Sequence, residues 1–308
     1  MNEKKLKFFS SLALILVAAI WGFAFVVVKD SLDYIGPVLM VGFRFSISAL
    51  VLGLIFIPRF KKVNKSLALH GCFLGLLLFL AYVTQTIGCR YTTAGKNAFL
   101  TTIYVVLVPL LGWPIFKKRP SVFVFIAALM SVSGIGLLAL NGEGSSLLKM
   151  NTGDILTLVC GLFYALHIIF GAKFVADEDP IMLTFFQFAV SGLLGFLLSP
   201  LMGEKIVLKS LLTSKVIVSL LYLGLLSSLL CFVLQNVCLK YVPSALASLF
   251  LGLESVFGVL FSTLILKESL TPRMIVGCLL IFTAILFAEV LPQLFSNLLK
   301  KKEKDHTD

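Results

Sequence analysis

The chain has 308 residues, 59% of them hydrophobic and 13% charged, against about 45–50% and roughly 25% in soluble domains. With a mean hydropathy of +1.05, it carries more apolar surface than a soluble core of this length can hide. An ordinary soluble enzyme, a disordered chain and a nucleic-acid-binding domain are thereby excluded, leaving an all-α polytopic membrane protein whose partners include the lipid bilayer. The net charge of +11 then reports which loops face which side of the membrane.

About 20 apolar residues cross the hydrocarbon core as a helix. That length predicts ten spans, at 8–28, 36–57, 67–89, 93–116, 121–140, 153–174, 181–202, 215–238, 243–266 and 272–292. Turn or charge punctuation separates most of them, as in Asp177-Glu178-Asp179-Pro180. The first span follows Lys4, Lys5 and Lys7 but is too long for a signal-peptide core and lacks a small-residue exit, so it is expected to stay as a helix. Lys and Arg in the loops divide 16 to 9 in favour of the side that holds both ends of an even-span chain. Both termini are therefore expected in the cytoplasm of a cell whose inner or plasma membrane holds the protein.

The two halves repeat. Residues 80–137 lie on 230–287 without a gap at an offset of 150, so that Leu80, Val83, Gln85, Tyr91 and Lys117 meet Leu230, Val233, Gln235, Tyr241 and Lys267. Upstream the offset becomes 143, and Trp21, Pro37 and Arg44 meet Tyr164, Pro180 and Gln187. Five spans per half is odd, so the second copy enters from the opposite side. Such inverted repeats mark many secondary transporters, with a substrate site near the midplane between the copies.

Trp21-Gly22, Arg44-Phe45, Tyr91 through Pro109, Tyr241 through Glu268, Thr271 and Gly277 resemble the drug/metabolite transporter superfamily, in particular its ten-helix EamA-like members. Ser255, where the family often has proline, and Lys118, opposite Glu268 in the second copy, depart from the pattern. The resemblance implies two five-helix repeats, at 1–142 and 153–292, an external linker at 143–152 and a basic cytoplasmic tail at 293–308. It also implies export of metabolites or toxic compounds, driven by an ion or substrate gradient.

Candidate substrate-binding residues are the polar and aromatic side chains that fall inside spans. Arg44 lies roughly 12 Å into its helix and must face a cavity or a partner. It would serve as counter-charge to a carboxylate or lock helices together. Gln85 and Gln235 are repeat mates near opposite mouths of one cavity, with Asn236 adjacent and Gln187 as the mate of Arg44. They can bind substrate as uncharged amides or join helices. Trp21, Tyr104, Tyr164 and His167 would line the cavity or pack. Glu254 lies roughly 16 Å into the ninth span, with Tyr104 as its mate. It would carry a coupling proton, answer an amino group, or hold helix to helix. Gly71 and Gly75 suit internal packing or a homodimer face.

No catalytic, metal or cofactor motif is expected. The six cysteines form no C-x-x-C pair, and Gly134-Ile135-Gly136 lies inside a span with no preceding strand. The sequence therefore reads as a secondary transporter of small metabolites, amino acids or drug-like compounds, working as an exporter. An importer or exchanger on the same fold and an intramembrane lipid-modifying enzyme are the alternatives.

Overall fold

The starts of the helices are written locally. Pro37 opens α2 (Pro37–Ile55) at a position where its missing N–H costs nothing. Asn64 accepts from the Leu67 N–H at 2.7 Å and starts α3 (Lys65–Tyr91). Asn151 and Asp154 form a reciprocal capping box at α7 (Thr152–Phe174). Asp179 accepts from the Ile181 and Met182 N–H groups ahead of α8 (Pro180–Leu198). The computed structural model describes residues 3–139, 151–267, 271–273, 275–284 and 287–288, and contains no strand among them. The 143–150 part of the expected linker, Glu268 and the 293–308 tail lie outside the described residues.

Around these helices run α1 (Glu3–Ser31), a 3₁₀ turn at Ile57–Lys62, and α6 (Val122–Ala139). A short α9 (Leu208–Leu211) precedes α10 (Ser214–Leu221). Two expected spans are interrupted. The 93–116 span is α4 (Ala94–Thr101) and α5 (Tyr104–Phe116), and the 243–266 span is α12 (Ser244–Leu251) and α13 (Glu254–Ile265). At both breaks the backbone tightens to i→i+3 bonds, from the Ile103 N–H to the Leu100 carbonyl and from the Leu253 N–H to the Phe250 carbonyl. The 215–238 span contains a π-helical stretch at Tyr222–Leu230, continued by α11 (Cys231–Cys238).

Counting the interrupted helices as continuous, eight described helices are long and apolar enough to cross a membrane. Two shorter apolar stretches, Val122–Gly134 and Ile275–Ala284, fall within the fifth and tenth expected spans. The repeat is visible in the backbone. The breaks at 102–103 and 252–253 are 150 residues apart, and so are Lys117 (φ 52°) and Lys267 (φ 56°), two left-handed residues that end equivalent segments. Packing repeats as well: α3 lies on α7 as α11 lies on α1, and α5 on α7 as α13 on α1.

α2 and α8 cross at Gly42 and Gly195, where a Cβ on Gly195 would sit 2.5 Å from the Gly42 Cα. Gly195→Val is expected to cost ~1–3 kcal/mol by overpacking, read as a lower Tm of the purified protein. An unchanged Tm would show that the two helices can part. Gly71 and Gly75 face Phe186 and Gln187 of α8, so the pair serves internal packing.

Candidate functional site

Arg44 is 2% exposed, and α2 carries it against the π-helical stretch. Its Nε donates to the Ser228 Oγ at 2.9 Å and its Nη2 to the Ser227 Oγ at 3.0 Å. The guanidinium lies 4.4 Å from the centroid of the Tyr82 ring, in a cation–π contact. The Ser227 carbonyl, within the same π-helical stretch, accepts from the Trp21 indole N–H at 2.7 Å. Ser48 donates to the Arg44 and Gly224 carbonyls, pinning α2 to that turn.

Trp21, Arg44, Tyr82 and Ser227 line a cleft with Phe25, Gln85, Asn97, Tyr164 and Glu254. Gln85 is held on three sides. The Tyr164 hydroxyl donates to its Oε1 at 3.3 Å, its Nε2 donates to the Thr101 Oγ1 at 3.2 Å, and the Asn97 Nδ2 donates to its carbonyl at 3.2 Å. Asn97 Nδ2 also reaches the Thr157 Oγ1 at 2.8 Å, which leaves Asn97 Oδ1 buried with no partner.

The helix breaks place Glu254 and its repeat mate Tyr104 as the first residues of α13 and α5. Glu254 is 4% exposed and the Tyr104 hydroxyl faces its carboxylate, with no hydrogen bond to Oε1 shorter than 3.5 Å. Among the described residues, Arg44 and Glu254 are the only Lys, Arg, Asp or Glu residues lining the cleft, and no ion pair joins them. The cavity measures only about 20 Å³, room for about one water.

Trp21, Arg44, Gln85, Tyr164 and Glu254 thus meet at one cleft, with Tyr104 packed against Tyr164 at 6.3 Å between centroids. The other four candidates are buried but do not line that cleft. His167 and Gln187 are joined at 2.9 Å, Asn236 donates to the Thr184 Oγ1 at 2.8 Å, and both amide atoms of Gln235 are unpartnered. Phe232 stands between the cleft and His167, 5.1 Å from Trp21, 5.9 Å from Tyr82 and 5.7 Å from His167. Sequence reading passed over Phe232, Tyr82, Asn97, Ser227 and Ser228. Asn97 and the serine pair carried a usable signal, as polar residues inside apolar spans.

The two ends of the molecule differ. At one, Lys29 Nζ donates to the carbonyls of Cys89 (2.8 Å), Arg90 (3.4 Å) and Thr92 (2.6 Å), tying the end of α1 to the end of α3. The repeat mates of Lys29 and Cys89 are Ala172 and Leu239, which line an open cavity of about 510 Å³ at the other end. Pro109, Trp113, Phe116, Lys118 and Arg119 are among the other residues of its wall.

The sequence pattern of the EamA-like transporter family matches residues 8–140 and again 151–289. An uncharacterized transporter of Archaeoglobus fulgidus is 34% identical over 289 residues, which span 92% of this chain and 87% of that protein. A protein of Salmonella typhimurium named "Probable amino-acid metabolite efflux pump" is 27% identical over 281 residues, 88% of this chain and 91% of its own. A crystal structure at 15% identity superposes with a TM-score of 0.75, covering 93% of this chain and 98% of that one, a likeness of fold.

Proposed function

The chain belongs to the EamA-like transporter family, and on that premise we propose that it is a secondary active exporter of small metabolites, amino acids or drug-like compounds, working by alternating access. The observation that carries this reading is the cleft between the repeats, where Arg44 and Glu254 are buried without a charged partner. A charge held at such depth is costly unless something is to meet it there, and intramembrane ionisable residues mark substrate or ion pathways. Interrupted helices beside the site fit the same reading, since transporter sites are commonly built on them.

In this proposal the chain crosses the membrane ten times as two inverted repeats, with both termini in the cytoplasm and a proton as coupling ion at Glu254. A reporter fused after Asp308 is then expected on the cytoplasmic side and one inserted near Ser145 outside. A cytoplasmic signal from Ser145 would overturn the inverted arrangement. Function is tested with purified protein in vesicles of known orientation, by counterflow of amino acids, nucleosides, vitamins and cationic toxicants. Flux no faster than in protein-free vesicles for every class would overturn the transporter reading, and the preferred direction separates export from import.

Alternating access also gives Lys29 a role. Its bonds to the end of α3 close the outer mouth while the 510 Å³ cavity keeps the inner mouth open. Lys29→Met keeps the apolar stem and removes the donors. It is expected to weaken outer closure by about 2 kcal/mol, as for hydrogen bonds to a charged group. A cysteine placed on the outer half of α1 should then react severalfold faster with an impermeant thiol reagent. An unchanged labelling rate would show that Lys29 does not hold the mouth.

A further inference from the structure

We infer that the 510 Å³ cavity at the open mouth holds an anionic phospholipid, its phosphate at Lys118 and Arg119 and an acyl chain along Trp113 and Phe116. The site lies apart from the central cleft, and lipid binding there does not depend on what the protein carries.

The chain turns sharply after α5, where Lys117 takes a left-handed conformation (φ 52°). Beyond that turn Arg119 folds back on α5, its guanidinium 4.8 Å from the centroid of the Trp113 ring. Stacking occupies the face of the guanidinium and leaves its N–H edge free to donate. Lys118 and Arg119 both line the cavity, and no Asp or Glu does among the described residues. No ion pair among those residues neutralises either cation. The start of α12 adds to the positive side. Pro243 stands at its N-cap without a side-chain cap bond, and Ser244 and Ala245 line the cavity. At the equivalent start of α4, Thr93 accepts from the Lys96 N–H at 3.1 Å and closes that end.

The rest of the wall is largely apolar, with Val108, Pro109, Trp113, Phe116 and Leu239. Trp113 is 37% exposed and Leu110, on the same side of α5, is 46% exposed. That side of α5 therefore faces hydrocarbon, and the cavity meets the bilayer at Trp113. A free inorganic anion would answer the cations and leave the apolar wall against water. Phosphatidylcholine would cover the wall, yet its quaternary ammonium would find cations and no acid. An anionic phospholipid answers both faces. The volume falls within the roughly 300–1,000 Å³ of small-molecule sites, so a headgroup enters with part of a chain while the remainder stays in the bilayer. On the transporter reading, a lipid seated in the open mouth favours the state in which that mouth is open, because it binds that state alone.

Lipid binding to the purified full chain, by native mass spectrometry and by thermal shift in mild detergent, tests this without transport. The probes are phosphatidylglycerol, phosphatidylcholine with the same acyl chains, and inorganic phosphate. Wild-type protein is expected to bind phosphatidylglycerol about 30-fold more tightly than the Lys118→Gln, Arg119→Gln double variant does, the effect of two basic contacts to an anionic headgroup. A control, Lys61→Gln with Lys62→Gln, removes the same charge from the 3₁₀ turn, away from the cavity, and should bind as wild type does. Equal binding of the two lipids by wild-type protein overturns the inference, and that comparison needs no variant to fold. Binding by the cavity variant no weaker than by the control overturns it too, because general attraction to the membrane surface then accounts for the lipid. Displacement of phosphatidylglycerol by an equal concentration of phosphate overturns it in favour of a soluble anion. None of these readouts measures flux, so the transporter reading stands or falls separately, by counterflow.

Discussion

Replacing Arg44 by lysine is expected to slow counterflow by about 10–100-fold although the charge is kept. Lysine is a point charge on a flexible stem and cannot reproduce a planar fork. It would lose the paired bonds from Nε and Nη2 to Ser228 and Ser227 and the stacking on Tyr82. A bond to a charged group contributes about 1.5–3 kcal/mol, and a desolvated cation–π contact up to about 2 kcal/mol. Loss of about 2 kcal/mol at the site corresponds to roughly 30-fold. Arg44→Leu should be worse in a second way. It strands the Ser227 and Ser228 hydroxyls in the core, so Tm falls along with flux. The measurement is initial counterflow rate beside thermal unfolding for both variants. Wild-type flux from a well-folded Arg44→Leu protein would reduce Arg44 to a packing residue.

The sequence revealed the architecture more fully than the site. Hydropathy and the 150-residue offset are properties of composition over twenty or more residues, and they located the helices and the pairs Gln85/Gln235 and Tyr104/Glu254. The interruptions at 102–103 and 252–253 were not legible, because they arise from a local switch to i→i+3 bonding inside apolar segments. The π turn was hidden for the same reason: Leu, Gly and Ser in Tyr222–Leu230 satisfy a π-helix as readily as an α-helix. Its consequence is large, since that turn presents Ser227 and Ser228 to Arg44.

Repeat symmetry also raised an expectation that the structure sharpens. Gln85 and Gln235 are equivalent in sequence, yet Gln85 is fully engaged at the cleft while both amide atoms of Gln235 are idle. Lys29 and Ala172 are equivalent in position and unlike in chemistry, one clamping a mouth and the other lining an open one. In the proposed alternating-access cycle, Lys29 would bias the equilibrium toward outer closure to the extent that its bonds to the end of α3 are lost when that mouth opens.

Glu254→Gln should keep the fold, because glutamine matches glutamate in shape and can still accept from the Tyr104 hydroxyl that faces the carboxylate. Its effect on transport is expected to be large. A carboxylate in this position has two ways to shed the cost of burial: it takes a proton, or it takes a cationic group of the substrate. The two compete for one group, so a substrate that arrives displaces a proton, and a proton that arrives releases a substrate. Arg44 is the other charged group lining the cleft, and Tyr82, Tyr104 and Tyr164 are the neighbouring hydroxyls. None of them is a carboxylate, so none can replace that exchange. With glutamine the competition disappears. Uphill accumulation driven by an imposed proton gradient should fall at least about tenfold, one charge-assisted contact being worth that much, and the dependence of flux on pH should flatten. The check is flux with and without the gradient in vesicles carrying equal amounts of folded wild-type and variant protein. If gradient-driven accumulation and its pH dependence both survive in the variant, Glu254 holds α13 in place and coupling resides elsewhere.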